Sequence, residues 1–155
     1  MKTPFALLLT GEPNCGKTTI CYYLQQKGLR NCVPIDGDKH RQMQFLGKKL
    51  GFTYDDIMEN NEHVVKMALF AQGLGFNVII PQIMPFKDQR EQMKQRLQNV
   101  YEVHLVCPKD VRAERPNFRD SELVYELGVP DLEIQTDEHT IDECVDTILT
   151  LLDQG

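Results

Sequence analysis

Residues 5–19 read Phe-Ala-Leu-Leu-Leu-Thr-Gly-Glu-Pro-Asn-Cys-Gly-Lys-Thr-Thr, an apolar run followed at once by a loop carrying two glycines. The run has the length of a strand buried on both faces. The loop has the spacing Gly11-x-x-x-x-Gly16-Lys17-Thr18, and a helical pattern continues from Gly16 to Lys27, stopping at Gly28. Strand, glycine loop and helix in that order are the context in which this spacing marks a phosphate-binding loop. The glycines let successive backbone N–H groups curl around phosphate oxygens, and the helix start adds its dipole. The candidate ATP-binding residues are therefore Gly11, Glu12, Pro13, Asn14, Cys15, Gly16, Lys17, Thr18 and Thr19. Lys17 brings a cation to the β- and γ-phosphates and is a candidate catalytic group, while Thr18 offers its hydroxyl to Mg2+.

Outward from the loop, short apolar runs alternate with helical patterns, which predicts an α/β domain around a mostly parallel sheet. Five strands are expected at Phe5–Thr10, Cys32–Asp36, Phe76–Ile80, Tyr101–Val106 and Leu132–Gln135. Pro34 cannot donate to a ladder, so the second strand reads as an edge, and the alternating fifth strand as the other. Helices are expected at Gly16–Lys27, Asp38–Leu50, Thr53–Leu74, Phe86–Gln98 and Thr140–Leu152, with residues 108–130 irregular or short-helical. Thr53 with Asp56, and Thr140 with Glu143, have capping-box spacing. The whole, residues 1–155, reads as one domain of three-layer αβα architecture with a five-stranded sheet.

A formal charge of −6 argues against general nucleic acid binding, which needs a basic face. Nothing in the chain approaches the ~20 apolar residues of a membrane span. The five cysteines, 15, 21, 32, 107 and 144, show no metal or disulfide spacing and read as buried thiols of a cytoplasmic protein. His40, His63, His104 and His139 show no metal spacing either. A homodimer is left open.

Many phosphate-loop proteins end a later apolar strand with an acid. Here the run "FNVII" ends in Pro81-Gln82, and the acids stand in "IDGDKHR" instead, at Asp36 and Asp38. The C-terminal ends of parallel strands share one edge with the loop, so both can face the phosphates as catalytic candidates. Asp38 holds Mg2+, directly or through water, or orients and deprotonates an acceptor hydroxyl, or is only a helix N-cap with Asp36 a turn residue. Acids at this strand end favour a small-molecule kinase.

In order along the chain, "LTGEPNCGKTT", "IDGDKHR", "LGFTYDDIMENNEHV", "IMPFKDQR", "VCPKDVRAER" and "YELGVPDLEIQT" resemble the adenylylsulfate kinases, phosphate-loop enzymes that phosphorylate a ribose 3′-hydroxyl. The resemblance implies ATP and Mg2+ as cofactors and a nucleotide-like acceptor contacted by Asp38, Arg41, Phe52 and Asn60. Core packing for Phe52, a helix-end amide for Asn60 and a solvated Arg41 are the plain alternatives. Phe86 and Lys87 are further candidate substrate neighbours, Lys87 for its closeness to the expected cleft, and Arg112 and Arg115 in the short lid are candidates near the ATP, Arg115 to stack on adenine or approach the transferring phosphoryl group. Lys87, Arg90 and Lys94 otherwise read as a solvated helix face, and Arg112 and Arg119 as surface ion-pair partners of Glu114 and Asp120.

The departures are as informative. The family's Asp-Arg is Asp56-Ile57 here, its Asn-Ile-Arg-Arg is Asn60-Asn61-Glu62-His63, and the serine of its Ile-Ser-Pro is Met84. Only about ten residues join Arg115 to Tyr125, where the family carries a longer basic lid. These losses keep open a kinase for another nucleotide or sugar hydroxyl, and a nucleotide-binding regulatory protein without turnover.

Overall fold

The computed structural model describes residues 3–29, 31–43, 50–116, 118–119, 121 and 123–153. Five strands form one sheet: β1 (Ala6–Thr10), β2 (Cys32–Pro34), β3 (Asn77–Pro81), β4 (Val100–Val106) and β5 (Leu132–Gln135). Their order is β2-β3-β1-β4-β5, and all four pairings are parallel. The sheet is thus wholly parallel, and the strands expected at its edges, β2 and β5, stand there.

The helices are α1 (Lys17–Gln26), α2 (Gly37–Gln42), α3 (Tyr54–Gly73), α4 (Lys87–Arg96), α5 (Lys109–Ala113) and α6 (Ile141–Asp153). Central strand β1 explains the unbroken apolar run. Leu7 and Leu9 face a cluster with Ile20, Leu24, Val145 and Ile148 from α1 and α6. Ala6 and Leu8 face another, with Val64, Ala68 and Met93 from α3 and α4. A strand with a helical layer on each face has no side to leave polar.

Caps fix the helix starts. Thr140 and Glu143 close both halves of their box, Glu143 N–H to Thr140 Oγ1 at 3.1 Å and Thr140 N–H to Glu143 Oε1 at 2.9 Å. At α3, Asp56 N–H donates to Thr53 Oγ1, but the Asp56 carboxylate accepts from Gly51 N–H, tying the preceding loop to the helix instead.

Two expectations change. The second strand ends at Pro34, two residues early, because Asp36 leaves the sheet to cap α2. The helix expected over 38–50 is helical from Gly37 to Gln42; residues 44–49 lie outside the described residues, and Leu50 is not helical. The Asp120 expected to pair with an arginine also lies outside them.

Candidate active site

The loop between β1 and α1 is held from outside through its carbonyls. Pro13 O accepts from Arg112 Nη1 at 3.2 Å, Asn14 O from Arg115 Nη1 at 2.6 Å and Cys15 O from Thr136 Oγ1 at 2.9 Å. In a trans peptide the carbonyl and the next N–H point opposite ways. Anchoring these three oxygens therefore turns the N–H groups of Asn14, Cys15 and Gly16 away from their anchors; all three residues line a cleft, as do Arg115 and Thr136. Gly16, with φ 106°, is the N-cap of α1 and gives it no side-chain cap, which leaves the helix's first amides for a ligand's oxygens. Gly11 is required by space: a Cβ there would lie 2.3 Å from Leu105 O. Lys17 Nζ bridges Gly11 O at 3.1 Å and Glu12 O at 2.8 Å, at the mouth of the loop.

The cleft measures about 1030 Å3 and extends from the loop to Phe52. Lys17, Arg41, Arg115 and Arg119 line it, with Asp38 as the acid among the lining residues. A protein of net charge −6 thus builds a locally cationic hollow, the arrangement that concentrates anions.

The two acids divide their work. Asp36 is the N-cap of α2: its Oδ1 accepts from the N–H groups of Asp38 at 2.9 Å and Lys39 at 3.4 Å. Its Oδ2 accepts from Thr18 Oγ1 at 3.1 Å. The partner that the fold gives Thr18 is therefore Asp36, and the cap is Asp36 rather than Asp38. Asp38, 62% exposed, pairs with Arg41 at 2.6 Å. Arg41 also donates to Gly51 O at 3.1 Å and lies 4.2 Å from the Phe52 ring centre. The Arg119 guanidinium lies 3.2 Å from the same centre.

Other expected residues fall elsewhere. Arg112 is buried under the loop, bonded to Cys107 O, Pro13 O and the Glu12 carboxylate, so it braces the loop instead of pairing at the surface. Asn60 is fully buried and donates to Gly37 O at 3.3 Å. Phe86 packs on Tyr54 with ring centres 4.7 Å apart, and Lys87 sits beside Glu126, its N–H on the Glu126 carboxylate at 3.1 Å. None of Asn60, Phe86 and Lys87 is among the cleft-lining residues. The face with Arg90 and Lys94 is not a solvated one. Arg90 is 1% exposed, donates to Met84 O at 2.8 Å and to Glu126 O, and lies 4.7 Å from the Tyr125 ring centre. Lys94 pairs with buried Glu102 at 2.9 Å.

Sequence reasoning missed Tyr125. It stacks on His104 at 4.6 Å and donates to Thr10 Oγ1 at 3.2 Å, clamping the segment that follows the short lid to the residue before the loop. Its place in "YELGVP" was the only available signal.

His40 and His63 meet ring to ring, Nε2 to Nδ1 at 3.1 Å, where α2 crosses α3. Burial, then the His63 and Arg41 charges, hold the His40 pKa below its ordinary value; burial does the same for His104. A base with a lowered folded pKa binds more protons when unfolded, so its contribution is lost as pH falls. We expect stability to be flat between about pH 7 and 8, to decline from about pH 6.5 downward, before the carboxylates titrate, and to decline again at alkaline pH, where the thiols of Cys21 and Cys32 ionise more readily in the unfolded chain. Thermal melts across this range check it, and His40→Gln should reduce the slope.

A wholly parallel sheet, a phosphate loop at the tip of its central strand and acids just past the end of β2, beyond β3 on the same edge of the sheet, define a phosphate-loop kinase. The model of the family described as adenylylsulphate kinase matches residues 3–128, and the chain belongs to that family. It is 31% identical to the probable adenylyl-sulfate kinase of Pseudomonas aeruginosa over 170 residues, covering 97% of this chain and 78% of that one. With the adenylyl-sulfate kinase of Gloeothece citriformis it shares 30% over 164 residues, covering 94% and 92%. Among solved structures it superposes on the APS kinase of Mycobacterium tuberculosis in complex with AMPPNP and APS with a TM-score of 0.86, 22% identity and 99% of both chains covered. A gluconokinase of Sinorhizobium meliloti superposes at 0.73 with 13% identity over 99% of this chain and 94% of that one, so the fold alone does not fix the acceptor.

Proposed function

We propose that this chain transfers the γ-phosphoryl group of ATP to the ribose 3′-hydroxyl of adenylylsulfate. The observation that carries the reading is the shared cleft, which has the phosphate loop at one end and Asp38, Arg41 and Phe52 at the other. Residues Gly11–Thr19 hold the triphosphate, and Arg115, fixed on Asn14 O, flanks it. The Thr18 hydroxyl and Asp36 carboxylate, already in contact, are hard oxygen donors of the kind Mg2+ takes, with phosphates and water completing its shell. Bound there, Mg2+ would offset phosphate charge. Asp38 orients the acceptor hydroxyl and takes its proton, and Arg41, which steadies Asp38, meets an anionic group of the acceptor. Phe52, 38% exposed, offers a ring to the acceptor's base.

A coupled assay of ADP release with adenylylsulfate, other nucleotides and sugars tests the reading. Preference for adenylylsulfate is expected; turnover of a neutral sugar in its place would overturn it. Phe52→Ala should raise the acceptor KM about tenfold, in keeping with ~1–3 kcal/mol for base stacking, and leave the KM for ATP near its original value.

One observation favours a second reading, a less anionic acceptor. At the positions where the family has arginines, Ile57 is buried, Glu62 holds Arg96 at 2.6 Å and His63 holds His40. These residues are turned to internal contacts. ADP release with none of the acceptors, despite ATP binding, would instead point to a regulatory nucleotide binder.

We also take residues 1–155 as one kinase domain, because helices on both sides pack on one sheet. Among the described residues no helix is long and apolar enough to cross a membrane. All five cysteines are free, which suits a reducing cytoplasm, and burial pushes the thiols of Cys21 up to about 11 and Cys32 to about 12.

A further inference from the structure

The strand end that carries no acid holds a buried amide chain. Gln82, directly after β3, is 2% exposed, and its N–H donates to Leu9 O at 3.0 Å, two residues before the phosphate loop. Its side-chain Nε2 donates to Asn61 Oδ1. Asn61 Nδ2 in turn donates to Gln89 Oε1 at 2.8 Å and to Ile83 O at 3.1 Å, and Gln89 Nε2 to Met58 O at 3.3 Å. Every donor in the chain runs the same way, from β3 through α3 to α4 and back. That leaves the Gln82 amide no second orientation without stranding a buried group.

What this fixed amide presses against is Gly37. A Cβ built on Gly37 would lie 1.4 Å from Gln82 Oε1 and 2.3 Å from its Cδ. The φ of Gly37 is not in the left-handed region, so glycine is needed there for space and not for conformation. The carbonyl of the same residue accepts from buried Asn60 at 3.3 Å. Gly37 is thus held by two internal amides, and it is the one residue between Asp36 and Asp38.

We propose that Gln82 is a positioning residue for the metal-binding carboxylate: locked by Asn61, its amide packs on Gly37 and sets Asp36 against Thr18. The proposal rests on the reading of Thr18 and Asp36 as the Mg2+ donors. Asp36 Oδ1 is committed to the cap of α2, so the direction of Oδ2 follows the α2 start, and the α2 start follows Gly37. Displacements of a fraction of an ångström at such a support are enough to weaken a site of fixed geometry.

The test follows Mg2+ rather than turnover. Nucleotide binding is first read in EDTA with a fluorescent ATP analogue, and Mg2+ is then titrated into the complex. Gly37→Ala should raise the Mg2+ concentration at half-saturation about tenfold, and nucleotide affinity in EDTA should stay within about twofold. Gly37→Ala with Gln82→Ala, which reopens the space, should recover most of the loss. A double variant as impaired as the single, or an unshifted Mg2+ titration in both, overturns the proposal. Gln82→Ala alone adds no atom and is the fallback if Gly37→Ala does not fold. A Mg2+ shift of about threefold with EDTA binding kept supports the proposal, and no shift overturns it. Wild-type protein that binds the nucleotide neither in EDTA nor with Mg2+ present would sink the ATP reading itself, and this proposal with it.

Discussion

Lys17→Ala is expected to lower kcat by about a thousandfold with the fold intact, the magnitude seen when a preorganised group facing developing charge is removed. The Nζ sits on Gly11 O and Glu12 O, the two carbonyls at the mouth of the loop, and so it is poised where the outer phosphates arrive. Two neutral hydrogen-bond acceptors at a partly exposed site lose a donor, which costs about 1–2 kcal/mol because water can replace it. The loop itself is held by other groups, Arg112, Arg115 and Thr136, so it should keep its shape. Steady-state kinetics alongside a thermal melt check both halves. A variant with near-normal kcat would remove the phosphate loop from the mechanism, and one that unfolds would show that Lys17 supports the loop rather than the reaction.

The second large effect separates the two aspartates. Asn is as good an N-cap as Asp, so Asp36→Asn should preserve α2 and delete only the charge beside Thr18. We expect kcat to fall at least a hundredfold, with part of the loss recovered at high Mg2+. Asp38→Asn leaves Thr18 and Asp36 untouched and removes the proposed base. Its kcat should fall by about 10^2–10^4-fold with the KM for ATP little changed and no recovery by Mg2+. Identical Mg2+ dependence in the two variants would mean that both acids serve the same role. A near-normal rate for Asp38→Asn would reduce it to the partner of Arg41.

Much of the fold was legible because its signals are local. An apolar run of strand length with no polar alternation, followed at once by a glycine loop, reads as a strand covered on both faces, and β1 is that strand. Glycine spacing specifies the loop because only backbone without Cβ can pass Leu105 O as closely as Gly11 does. The site was legible as a list of residues and not as a set of pairings. Asp36 and Asp38 are two residues apart and chemically identical in sequence. Which of them reaches Thr18 depends on which one leaves the sheet to cap α2, and that is settled by where β2 stops. Arg90 looked solvated because its helix is polar overall, whereas Glu102, Tyr125 and two carbonyls brought from distant positions close over it.

By itself, then, the sequence determined the layer order, the phosphate loop, the family and the neighbourhood of the acids, since each of these depends on spacing within a few residues of chain. Tertiary structure alone decided that Arg112 braces the loop, that Asn60 and Gln82 serve the Asp36–Asp38 turn from within, and that Phe86 and Lys87 stand outside the cleft. Those outcomes depend on contacts between residues tens of positions apart. Burial there favours whichever polar partner the packing supplies, and no local pattern records that choice.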